Sequence, residues 1–176
     1  MMIKDIETKR IAVPLIKPFK TALRTVEVAE AVIVMIYCDN GLVGYGEAPP
    51  TLVITGDSLN SIEAAIHGAI KPALLQQNIN QFEQLFAKLH SVIVRNSSAK
   101  AAVDMALYDL LAKQAGLPLY EYLGGYKNEL ETDFTVSVNS PEEMGDDAAQ
   151  YVEDGFTVLK VKVGKDDIQR DIQRIQ

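Results

Sequence analysis

The sequence predicts an α+β chain that turns, in its last third, into a parallel β/α arrangement, and three observations carry the prediction. Strand-like apolar runs cover residues 3–15, 31–38 and 42–48, and Asp39-Asn40-Gly41 separates the last two. Asn-Gly between two strand patterns marks a hairpin, because both residues tolerate positive φ. Helical periodicity then dominates to about residue 123. From about residue 130 the order is strand, helix, strand, helix with short connections, which is how parallel strands are joined.

Each element has its own signal. The first strand closes at Pro14, and residues 17–25 are polar and irregular, which predicts a long loop; loops of that length often carry function. Pro49-Pro50 ends the third strand, and residues 51–57 form a second long connection whose Leu52, Val53 and Ile54 have no strand to belong to. Asp57 or Ser58 caps a helix with Ile62, Ala65, Ile66, Ala69 and Ile70 on one stripe, expected to stop before Pro72. A short helix covers 81–90. The clearest helix has Ser97 or Ser98 as its cap, an apolar stripe from Ala99 to Leu111, then Gly116 and Pro118. Its alanines allow a neighbour to approach closely.

Residues 119–123 make a further turn before Gly124-Gly125. Residues 132–138 then predict a buried strand, Ser140-Pro141 a capped helix start, and Gly155 its end. Residues 156–163 predict the next strand, and 166–176 the start of another helix. The domain boundary is expected between 1–128 and 129–176. Two parallel strands neither close a barrel nor complete a doubly wound sheet, so the expectation is part of a longer protein.

Composition narrows the partners. The 176 residues are 48% hydrophobic and 23% charged, with net charge −7 and scattered lysines and arginines. That argues against a nucleic-acid surface and against anionic membranes, and points to a cytoplasmic protein with a small-molecule partner. Cys38 stands alone in an apolar run, so no internal disulfide forms and it is expected in the core. His67 and His90 lie far apart without ligand spacing, and no metal ligand is assigned within the chain.

Chemistry enters at Lys160-Val161-Lys162. An i,i+2 spacing in a strand sets both ammonium groups on one face. Like charge and desolvation both favour the neutral amine, so such a pair suits a base near neutral pH. A solvated strand face explains the same spacing, and spacing alone leaves both readings open.

Several motifs in order add to this: Gly44-Tyr45-Gly46-Glu47-Ala48-Pro49, the 99–111 helix with Tyr108-Asp109, Leu123-Gly124-Gly125, and Lys160-Val161-Lys162. Together they resemble the enolase superfamily in its muconate-lactonizing branch. Lys17-Pro18-Phe19-Lys20, Arg24, Thr55-Gly56-Asp57 and Thr135-Val136-Ser137-Val138 resemble more narrowly the dipeptide epimerases acting on L-Ala-D/L-Glu. The resemblance covers the whole chain but about half of such an enzyme.

The resemblance implies an α+β capping domain, a three-stranded antiparallel meander plus helical bundle, followed by the first two β/α units of a TIM-like barrel. It implies metal-dependent epimerisation of a small acidic dipeptide by removal of the proton α to a carboxylate. Lys162 would be one of two bases, and Lys160 would stay cationic against the carboxylate. Thr135 would face the substrate, Arg24 would pair with its acidic side chain, and Ile54 would cover the pocket. Mg²⁺ would be held by carboxylates of later barrel strands, and the opposing lysine would come from another, all outside this chain. This chain alone is therefore expected to be inactive, and the complete enzyme to be a homo-oligomer. A cycloisomerase or o-succinylbenzoate synthase of the same branch, and a non-catalytic binding or assembly module, remain as alternatives.

Overall fold

The computed structural model describes all 176 residues, which divide into two compact units, residues 1–13 with 29–128 and residues 14–28 with 129–176.

A sheet of order β1-β2-β3 has strands β1 Ile3–Lys20, β2 Thr25–Cys38 and β3 Val43–Ala48, and the first unit holds residues 3–13 of β1, 29–38 of β2 and all of β3. β2 and β3 pair antiparallel from Tyr37 opposite Val43 to Val32 opposite Ala48. Their connection holds three residues, 39–41, because the Cys38 N–H bonds the Leu42 carbonyl at 2.9 Å. Only Gly41 takes positive φ, +84°, while the Asn40 side chain accepts the Leu42 N–H at 3.2 Å. The hairpin is thus as expected, with a turn one residue longer than a tight Asn-Gly pair.

Alternate residues of β2, Val32, Val34, Ile36 and Cys38, point into the core. Burial pushes the Cys38 thiol up to about 11, so it behaves as a small apolar side chain. The helical layer starts at Ser58, which caps α1 Leu59–Ala65 through a reciprocal capping box with Ser61. α1 does not stop before Pro72. It passes through a π-helical turn, Ile66–Ile70, into α2 Lys71–Leu74. The wider turn bonds the Lys71 N–H to the Ile66 carbonyl, five residues back, and Pro72 falls at the start of the new register, where a missing N–H costs little.

After α3 Phe82–Ser91 comes α4 Ser97–Ala115. Its N-cap is Asn96 in the left-handed region, not Ser97 or Ser98; the Ser98 hydroxyl instead donates to buried Asp57 at 2.6 Å. At the other end Gly116 has φ +70° and Leu117 N–H bonds the Ala112 carbonyl, a Schellman close. Ala99, Ala102, Val103, Ala106, Leu107 and Leu110 bury the predicted stripe against β3. The approach is close because β3 has no side chain there. A Cβ on Gly46 would lie 1.8 Å from the Ala102 carbonyl oxygen, and one on Gly44 2.2 Å from that of Ala106. α5 Leu119–Tyr122 follows. No helix of the chain is long and apolar enough to cross a membrane.

In the second unit the loop expected at 17–25 shrinks to a turn at 21–24, closed by the Thr21 N–H on the Arg24 carbonyl at 2.9 Å. β1 runs through both Pro14 and Pro18. It lies at the sheet edge, where a residue without N–H forfeits no ladder bond if it faces outward. Polarity there reflected an exposed hairpin, not an irregular backbone.

β4 Phe134–Val136 and β5 Leu159–Val161 pair parallel, as expected, but both are shorter than the apolar runs. Beyond Val136 the chain changes partner, and Val138 N–H bonds the Lys20 carbonyl at 3.2 Å. Between them α6 Pro141–Glu153 begins at Ser140, which forms a capping box with Glu143 behind Pro141 at the first turn. α7 Ile168–Ile175 is capped by the Asp167 carboxylate. Val136, Val138 and Met144 form the small core, and Phe134 packs its ring against Tyr151 and Phe156 at 4.2 and 4.7 Å between centroids.

Candidate active site

In the β4–β5 pair Thr135 stands opposite Lys160 and Val136 opposite Val161. Register partners in a parallel pair share a face, and residues two apart return to it. Thr135 and Lys160 therefore lie together on one face, and the two valines lie on the other, where Val136 is 1% exposed. Lys162 continues the pairing by donating its N–H to the Val136 carbonyl at 3.1 Å, so its side chain returns to the Lys160 face. That face carries two ammonium groups and a hydroxyl. Lys160 is exposed, while Lys162 and Thr135 are half-buried. Chemically this can attract a carboxylate and present an amine beside it.

The turn after Lys162 is held from outside the sheet. Gly164 takes φ +90°, and its N–H donates to Asp171 Oδ2 at 2.9 Å. Asp171 Oδ1 accepts Arg174 Nη1 at 2.7 Å, Arg174 Nη2 donates to Asp166, and Arg174 Nε donates to the Asn139 carbonyl at 3.0 Å. Arg174 is only 8% exposed. The Asp166 and Asp171 carboxylates hold its guanidinium above its ordinary value, and Arg174 holds Asp166 below the usual carboxylate range.

Asn139 Oδ1 accepts Lys20 Nζ at 2.7 Å, and the Lys20 N–H donates to Ser137 Oγ at 3.2 Å. Lys17 pairs with Asp147 at 2.6 Å, and that carboxylate raises its ammonium. These groups and Tyr151 line a cleft of about 330 Å³. Desolvation, with Asp147 nearby, pushes the Tyr151 phenol up.

Of the residues singled out from the sequence, the fold brings Thr135, Lys160 and Lys162 onto one face. Arg24 belongs to the same unit. It is half-buried in the hairpin turn, its N–H bonded to Thr21 Oγ1 at 3.2 Å. Ile54 belongs to the first unit. It sits on the turn that Ile54, Thr55 and Gly56 N–H groups close on the Thr51 carbonyl, and it is 67% exposed beside exposed Leu52 and Val53. Nowhere in the chain do three His, Cys, Asp or Glu side chains cluster to hold a metal ion.

Sequence reasoning missed the Arg174 network. Its one local trace is Asp171 three residues before Arg174 on a helix, a spacing that allows a side-chain pair.

Comparison with known proteins gives a consistent picture. The N-terminal domain of the mandelate racemase / muconate lactonizing enzyme family matches residues 5–124. The L-Ala-D/L-Glu epimerase of Bacillus subtilis is 63% identical over 176 residues, covering 100% of this chain and 48% of that protein. That of Clostridium acetobutylicum is 51% identical over 176 residues, covering 100% of this chain and 49% of its own length. A substrate-liganded complex of the Bacillus subtilis enzyme superposes with TM-score 0.98, covering 100% of this chain and 49% of that one. The dipeptide epimerase of Enterococcus faecalis, solved with Mg and L-Leu-L-Tyr, superposes with TM-score 0.94 at 38% identity, covering 99% and 49%. The chain spans about half the length of the curated relatives it matches.

Proposed function

The chain belongs to the mandelate racemase / muconate lactonizing enzyme family of the enolase superfamily, and from that membership we propose that it forms the N-terminal half of a dipeptide epimerase of the L-Ala-D/L-Glu type. The observation that carries the reading is 63% identity to such an epimerase along the entire chain, in which Lys160 and Lys162 share one face with Thr135.

In this reading residues 1–128 are the capping domain and 129–176 open the barrel. Lys162 removes and returns the proton α to the substrate carboxylate from one side. Lys160 stays cationic and binds that carboxylate, favouring the negative charge that develops as the proton leaves. Thr135, in the middle of β4 and opposite Lys160, lies beside it on the same face and would touch the substrate. Arg24 takes the acidic side chain of the dipeptide with its planar fork, and Ile54 with its neighbours keeps water from the pocket. Cytoplasmic location and homo-oligomeric assembly belong to the same proposal.

Magnesium, present in the Enterococcus faecalis structure, finds no carboxylate cluster among these residues. In this reading its ligands, and the second base, lie outside the 176 residues. The chain's own part is limited to binding, orientation and one proton.

The test follows L-Ala-L-Glu by chiral chromatography with the full-length polypeptide, with and without a chelator. The expected result is conversion to L-Ala-D-Glu that stops on chelation and returns with Mg²⁺, faster than conversion of L-Leu-L-Tyr. The 176-residue chain assayed alone is expected to be inactive. A full-length protein that leaves L-Ala-L-Glu unchanged in Mg²⁺ would contradict the proposal and favour a lactonizing or non-catalytic role.

A further inference from the structure

We propose that Arg174, acting through Asp171 and Gly164, is a positioning residue for Lys162; the role rests on the epimerase reading above. Lys162 lies between two fixed points. One is its own N–H on the Val136 carbonyl, the last bond that ties this strand to β4. The other is the Gly164 N–H on Asp171 Oδ2, where the chain turns away with φ +90°. Asp171 can hold that N–H in place only if its own carboxylate is fixed, and Arg174 Nη1 fixes it through the other oxygen.

Arg174 is in turn over-determined. Its three nitrogens reach three different segments: the Asn139 carbonyl just past β4, Asp166 in the loop after β5, and Asp171 on α7. A buried ion network of this kind is poor evidence for added stability, since an apolar side chain of similar size would pack there too. What a forked, rigid cation adds is direction. It ties the chain just past β4 to the chain just past β5, and so sets how the Lys160–Lys162 face stands beside Thr135. Asn139 also receives Lys20 Nζ, which links the hairpin that carries Arg24 to the same network.

A long side chain magnifies backbone error at its tip, and a misplacement of about 1 Å at a reacting group can cost about 100-fold in rate. Removing the clamp should therefore act on the one proton transfer that Lys162 performs. The opposing base, from a strand outside this chain, is not held by Arg174.

The experiment uses the full-length polypeptide with Mg²⁺ and compares Arg174→Lys, which keeps the charge but loses the fork, with Asp171→Ala, which keeps Arg174 on Asp166. Solvent deuterium incorporation at the α-carbon is measured separately for L-Ala-L-Glu and L-Ala-D-Glu. Both variants are expected to slow exchange of one epimer at least about 10-fold and the other less than about 3-fold. Both should also lose amide hydrogen-exchange protection at Gly164. Equal slowing of both epimers would mark the network as merely structural and overturn the proposal, as would unchanged exchange. Wild-type protein without any α-proton exchange would overturn the epimerase reading and this role with it. Wild-type exchange combined with protected Gly164 in Asp171→Ala would overturn the clamp alone.

Discussion

At Asp166 one carboxylate contributes to how the second unit responds to acid. Arg174 holds its pKa below the usual carboxylate range, so the stabilisation it gives is fully present above the unfolded value, about 3.9, and is lost as pH falls through the lowered folded value. Thermal stability should therefore decline below about pH 4. Asp166→Asn should be less stable than the parent at pH 7, with the difference narrowing as both are taken down in pH. A parallel acid decline in parent and variant would mean that this pair does not control it. The Arg174 network was not legible in the sequence beyond its local pair with Asp171, because Asn139 lies 35 residues away and only the pairing of β4 with β5 brings the two segments together. Lys160 and Lys162 were legible, because period two alone puts them on one face.

At the level of elements, the contact between β3 and α4 governs the first unit. A Cβ on Gly46 would lie 1.8 Å from the Ala102 carbonyl oxygen, a backbone atom that cannot rotate away. Gly46→Ala should cost about 2 kcal/mol or more, seen as a lower urea midpoint. Gly68→Ala, with nothing within 4 Å of the added carbon, should change stability by less than about 1 kcal/mol. Equal effects at the two sites would contradict the close packing. Elements whose signal is local were legible: the alanine stripe of α4, its Gly116 close, and the Ser140-Pro141 start of α6. Those set by surroundings were not. Pro18 reads as a loop residue until β1 is known to be a sheet edge, and Pro72 reads as a stop until the π-turn shifts the register. Asn96 as the start of α4 gave no signal either, because a left-handed cap without a side-chain bond leaves no motif.

For the whole molecule, the chain spans about half the length of its relatives, and in the proposed reading it would carry one half of a two-sided reaction. Its family was legible because several motifs follow one another in order, from Gly44-Tyr45-Gly46 to Lys160-Val161-Lys162. What a single half cannot encode is the opposite face of the substrate. Epimerisation requires a proton to leave on one face and return on the other, so a base on each side is the core of the account. The decisive measurement is α-proton exchange with solvent deuterium, for each epimer of Ala-Glu, in full-length Lys162→Ala protein. The expected result is a folded protein of near-parental stability in which the epimer whose α-proton faces Lys162 no longer exchanges and net epimerisation is abolished. Exchange of both epimers at the parental rate would remove Lys162 from the mechanism.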